Sequence, residues 1–179
     1  QEGEASIGIN NGSIIGGKMG KIIRQGEIVL GGGSYNIGAG YTQSSKMQLS
    51  CKTTDETATN LAAQDIDGAY ITLQTNSILG LEIYVTRLET GGASGTEGDY
   101  SYRVQRAVVR TNDSGTVAIV THGTTTIGSV GGVDGDVEVV DSTTDGIPMV
   151  AIQVADRADV NNLWSATVYL HELRTNIAF

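Results

Sequence analysis

Cysteine, proline, tryptophan and phenylalanine each occur once in these 179 residues. A lone Cys51 excludes an intrachain disulfide. Its place in the alternating run 45–54 gives it the part of a small buried hydrophobe rather than a reactive thiol. A lone Pro148 excludes collagen and Pro-rich linkers. The apolar fraction is 39%, enough for a small β domain but not for a large independent core. No stretch is apolar enough to span a bilayer, and no signal peptide is visible. Bases are also scarce, 11 against 20 acids, for a formal net charge of −9. That balance argues against a nucleic-acid binder and against an anionic membrane surface. It suits the solubility of a repetitive β protein.

Glycine is plentiful but unevenly spread: 12 of the first 44 residues are Gly. Residues 1–44 are neutral, with Glu2, Glu4 and Glu27 balanced by Lys18, Lys21 and Arg24. Residues 45–179 carry the whole excess, 17 acids against 8 bases. Within the first segment Ser13-Ile14-Ile15-Gly16-Gly17 returns fifteen residues later as Ile28-Val29-Leu30-Gly31-Gly32. Ala5-Ser6-Ile7-Gly8 is a weaker copy. Each unit reads as a short apolar strand, a glycine corner and polar residues. One unit cannot bury its own apolar side, whereas stacked copies or neighbouring chains can. The alternative is a flexible linker, against which stand the Ile-Ile and Ile-Val-Leu clusters.

From residue 45 the texture is all-β. In Leu79–Leu88, Leu79, Leu81, Ile83 and Val85 share one face and Glu82, Tyr84 and Thr86 the other. After the turn Gly91-Gly92-Ala93-Ser94-Gly95, Tyr100–Thr111 returns to complete a long hairpin. Tyr102, Val104 and Val108 read as its apolar face, and Arg106 and Arg110 place the far end of that face at the surface or an interface. Thr116–Thr121, Val137–Val140, Ile147–Ala155 and Leu163–Thr175 follow. In the last, Trp164, Ala166, Val168 and Leu170 form the core face. These strands predict an antiparallel sandwich, jelly roll or barrel. The expected organisation is a Gly-rich β-repeat shaft over 1–44 and a C-terminal β-sandwich, jelly-roll-like knob over 45–179. The chain opens on Gln1 rather than Met, as expected of a piece of a longer protein.

Catalytic signals are few. The two histidines are His122 and His171, and His171-Glu172 lies on a strand whose neighbours face opposite ways. No nucleophile elbow, His-Glu-x-x-His motif or phosphate loop is present. Asp134-Gly135-Asp136, with Asp141 and Asp145 nearby, lacks calcium-loop spacing and reads as a solvated turn. Asp65, Asp67, Asp156 and Asp159 read the same way. No catalytic, cofactor or metal residue is therefore assigned. Tyr35 and Tyr41 sit at the repeat-to-knob junction. Tyr84 and Tyr169, on the less apolar faces of their strands, are the receptor-binding candidates. They either stack on a ligand or pack between subunits or under a loop.

Several segments carry a resemblance. They are Gly38-Ala39-Gly40-Tyr41-Thr42-Gln43-Ser44-Ser45-Lys46, Lys52-Thr53-Thr54-Asp55-Glu56-Thr57, and Asn76-Ser77 ahead of 79–87. Tyr102-Arg103-Val104 through Val109-Arg110 continues it, and Leu163-Trp164-Ser165-Ala166-Thr167-Val168 is the strongest. Together they resemble the C-terminal region of phage tail-fibre and virion-fibre proteins. The repeat also resembles the head repeats of trimeric bacterial adhesins. The resemblance implies a homotrimer at the distal end of a virion appendage. It implies contact with a bacterial surface glycan or protein receptor, and attachment to the virion through a preceding segment. The leading expectation is a non-enzymatic host-attachment tip without cofactor, nucleic-acid partner or membrane insertion. The alternatives are a structural capsid or neck fibre or a decoration, whose knob is a trimerisation domain, and, behind it, a glycan-degrading enzyme.

Overall fold

The structure, a computed structural model, describes residues 12–16, 19–33, 38–64, 66–131 and 135–175, the side chains of 121 and 122 excepted. The described residues contain eleven strands and no helix. They are β1 (Ser13–Ile14), β2 (Ile28–Gly33), β3 (Thr42–Thr53), β4 (Thr59–Ala63), β5 (Ile71–Thr72) and β6 (Ser77–Gly91). Then come β7 (Tyr100–Thr111), β8 (Val117–Val130), β9 (Asp136–Asp141), β10 (Met149–Ala155) and β11 (Asn161–Arg174).

The large sheet runs β8–β7–β6–β11–β3, antiparallel throughout. The far edge of β3 is divided: β2 pairs with its first half and β4 meets Leu49 and Ser50. β4 then pairs with β10, which holds β9 on its other edge. The alternation in β6 and β11 is the reason for this arrangement. Leu79, Leu81, Ile83 and Val85 of β6 and Trp164, Ala166, Val168 and Leu170 of β11 are all 2% exposed or less. They share one core with Val137 and Val139 of β9 and Val150, Ile152 and Val154 of β10. Burying each Leu, Ile or Val among them contributes roughly 1.5–3 kcal/mol. Trp164, the expected core residue, also donates its indole N–H to Thr53 Oγ1 at 3.0 Å.

Two strands differ from expectation. In β7 the buried face is Ser101, Arg103, Gln105, Ala107, Val109 and Thr111, not Tyr102, Val104 and Val108. Register decides this: Leu81 opposes Ala107 and Leu79 opposes Val109, which puts the odd-numbered side chains of β7 inside. β8 does not stop at residue 121 but continues to Val130, its Gly-Thr stretch paired with β7 through two register shifts.

The glycine repeat has a direct structural counterpart. Ser13 opposes Ile28 and Ile14 opposes Val29 in a parallel pair, so the two copies lie side by side at their fifteen-residue spacing. A Cβ on Gly32 would lie 2.9 Å from the Gly20 Cα, so glycine is required where these backbones touch. The weaker copy at 5–8 lies outside the described residues. β2 joins β3, so the boundary drawn after residue 44 falls inside β3.

Buried ions secure both ends of the inner layer. Arg24, fully enclosed, donates to Glu27 at 2.8 Å, to Glu172 at 3.0 Å and to the Thr72 carbonyl at 2.7 Å. Glu27 also accepts from the Ile23 and Arg24 amides and from Ser45 Oγ. Burial alone would lower the Arg24 pKa, but Glu172 and Glu27 outweigh it and hold the guanidinium above its ordinary value. At the other end Arg87 pairs with Asp156 at 2.5 Å and approaches Glu89 at 3.8 Å. Asp156 is therefore not the solvated turn residue its sequence context implies. A cation 69 positions away in the chain draws it inward.

Candidate functional site

The side chains on the outer face of the large sheet form rows across the strands. Lys46, Tyr169, Glu82 and Arg106 make one row, ending at Gly123. The next is Gln48, Thr167, Tyr84, Val104 and Thr125, followed by Ser50, Ser165, Thr86, Tyr102 and Gly128. Three tyrosines thus sit on adjacent strands in adjoining rows. Tyr84 meets Tyr169 edge-on with centroids 5.9 Å apart and stacks near Tyr102 at 6.4 Å. Such pairs lock ring orientation and stabilise by about 0.5–1.5 kcal/mol each. Lys46 Nζ lies 5.8 Å from the Tyr169 centroid, a cation–π contact.

These residues line a groove of about 530 Å³ together with Thr86, Ser165, Thr167, Glu82 and His171. Tyr84 also lines a second depression, over β7 and β8. His171 also lines a third, beside the glycines of β2. Small residues open the space: Gly123 and Gly128 have nothing within 4 Å of where a Cβ would be. Serine and threonine hydroxyls supply donors and acceptors between the rings, with Gln48 bonded to Ser165 and Thr167 at 2.6 and 2.8 Å. The arrangement offers aromatic faces, hydroxyls and a cation along an open groove, groups able to stack on a ring and to hydrogen-bond at its edge.

The structure places both receptor-binding candidates, Tyr84 and Tyr169, in this groove and adds Tyr102, which sequence reasoning left on the expected core face of β7. Tyr41 lies elsewhere, its ring 5.0 Å under the Arg174 guanidinium. Tyr35, Asp65 and Asp134 lie outside the described residues, as does the side chain of His122. Arg106 and Arg110 are exposed on the same outer face as the groove. Cys51 is partly buried against the core.

Acid–base chemistry finds little to work with. His171 Nδ1 lies 3.4 Å from Ser44 Oγ, on the exposed face. The neighbouring carboxylate, Glu172, points to the opposite face and into the Arg24 cluster. Glu172 therefore does not orient His171 in the way a third group orients a general base. Among the described residues no three His, Cys, Asp or Glu side chains come together as a metal site. Asp141 accepts from the amide and hydroxyl of Thr143, closing a turn. Asp55 does the same with the Thr57 amide, and the hydrogen bonds from Thr57 hold its carboxyl below the ordinary range.

No family model matches the chain. No curated protein matches it either. Among solved structures it matches the tailspike protein of Acinetobacter baumannii phage AM24, with a TM-score of 0.40 and 7% identity. The match covers 75% of this chain and 27% of the tailspike, so the chain spans about a quarter of that protein.

Proposed function

We propose that this chain is the non-enzymatic receptor-binding tip of a virion fibre, which attaches a phage to a bacterial surface glycan through the outer face of its large sheet. The observation that carries the reading is the tyrosine trio in the groove. Tyr84, Tyr102 and Tyr169 are held by register on three adjacent strands, half-open to solvent and bordered by hydroxyls. A monomeric core has no need of three tyrosines on its outer face, whereas sugar rings stack on such faces. Individually weak contacts would gain strength from several copies per particle.

The unit of action in this reading is a homotrimer. Its support is β8, the terminal strand of the sheet, fourteen residues long with Val120, Ile127 and Val130 at least half exposed. A long edge strand, unpaired on that side among the described residues, is a strand-pairing surface that a partner chain can cover.

Polysaccharide binding by the whole chain, with Tyr84→Ala as comparison, tests the glycan reading. Binding that the substitution weakens about thirtyfold or more, with no release of reducing ends, is the expected result. Failure to bind any surface polysaccharide would overturn it. Light scattering tests the assembly: a species three times the 18.7 kDa chain mass is expected, and a clean monomer would remove the trimer.

A further inference from the structure

Charge is partitioned across this molecule in a way that composition conceals. The chain carries a formal −9, yet the outer faces of β3, β11, β6 and β7 carry the reverse. Lys46 and Lys52 point outward from β3, and Arg106 and Arg110 from β7. Against these four bases Glu82 is the single outward acid of the four strands. The other two acids in these strands, Glu89 and Glu172, face inward and are buried. Most remaining acids lie in turns at the strand ends or on β9.

We infer, on the basis of the glycan reading above, that the ligand of this face is an acidic polysaccharide, one bearing carboxylate or phosphate groups. The bases flank the tyrosines. Lys46 and Arg106 stand on either side of Tyr169 and Glu82 in one row, three strand spacings or about 14 Å apart. A glycan laid across β11 and β6 would meet ring faces at the centre and a cation at each side. Lys46 is already fixed near Tyr169, which lowers the entropy cost of engaging an anion. Arg106, 73% exposed, is held loosely at 3.7 Å by Glu82 and is free to exchange that partner for a ligand carboxylate.

Nucleic acid, the other common polyanion, fits less well. Its backbone calls for a dense stripe of Lys and Arg, which four bases spread over two strands of this face do not make. The hydroxyls of Thr86, Ser165 and Thr167 between the rings suit sugar hydroxyls instead.

The test immobilises the whole chain and measures binding of purified bacterial surface polysaccharides, each in native form and after carboxyl reduction and dephosphorylation. Single-stranded DNA is the control polyanion. The expected ligands are acidic, lose at least about tenfold in affinity on neutralisation, and weaken with rising salt. Lys46→Gln with Arg106→Gln should cost about tenfold on the native ligand and nothing on the neutralised one. Both residues are solvent-facing, and an unchanged melting curve would verify the fold. Equal affinity for native and neutralised forms would overturn the charge assignment and leave the glycan reading standing. No binding to either form would overturn both. DNA binding as tight as the best polysaccharide would overturn the assignment in favour of nucleic acid.

Discussion

The two faces of β6 and β11 are made by alternate residues of the same strands, yet they solve different problems. The inner face is filled by Leu79, Leu81, Ile83 and Val85 against Ala166, Val168 and Leu170, and the ions buried with them, Arg87, Glu89 and Glu172, are paired. The outer face at the same positions holds Glu82, Tyr84 and Thr86 against Thr167 and Tyr169, half-open to solvent. A period of two therefore separates stability from recognition along one chain. Changes on the inner face should lower stability and spare binding in the folded molecule. Changes on the outer face should do the reverse.

The largest expected effect lies at the inner margin. Glu27→Leu leaves Arg24 with one carboxylate and strips the acceptor from the Ile23 and Arg24 amides and from Ser45. Removing one partner of a buried ion cluster costs about 3–5 kcal/mol. Urea denaturation followed by circular dichroism measures it, and a loss under about 1 kcal/mol would show that Glu27 is dispensable to the clip between the N-terminal coil and β11.

Adjacent residues give the sharpest contrast. Tyr84→Ala should cost about 2 kcal/mol or more of glycan binding, some thirtyfold. Its stability loss should be near 1 kcal/mol, from the two tyrosine pairs. Ile83→Val, one residue away on the other face, should cost about 0.5–1.5 kcal/mol of stability and leave affinity unchanged. Calorimetry and binding isotherms on the pair decide it. Equal effects of both substitutions on binding would mean that the outer face acts only through the fold.

The sequence made one face easier to read than the other. β6 and β11 announce themselves because their inner residues are uniformly apolar. β7 does not, since its inner face carries Ser101, Arg103 and Gln105, and their setting is created by elements distant in the chain. Arg103, for example, donates to the Gly135 carbonyl. β8 is built of Gly and Thr beyond residue 121, which offers no apolar period to detect. Asp156 turns inward because of Arg87, a partner that no local pattern reveals. Within the groove, Tyr84 and Tyr169 are legible singly, as aromatics out of phase with the core. Their meeting with Tyr102 depends on register across three strands, which the alternation of each strand alone leaves open.

The smallest expected effect on stability belongs to Glu82→Gln, and it bears most directly on the ligand. Glu82 and Arg106 are both solvent-facing at 3.7 Å. An exposed pair of this kind contributes little, so the melting transition should move by less than about 0.5 kcal/mol equivalent. Binding should respond more. Removing the single outward acid of the four strands frees Arg106 and deletes a repulsive charge beside Tyr169, so affinity for an acidic glycan should rise, by up to about fivefold at low salt, with the gain shrinking as salt screens it. A fall in affinity instead would mean that Glu82 accepts hydrogen bonds from sugar hydroxyls. The face would then select its ligand by its hydroxyl pattern, and the surrounding bases would act chiefly to hold Glu82 in place.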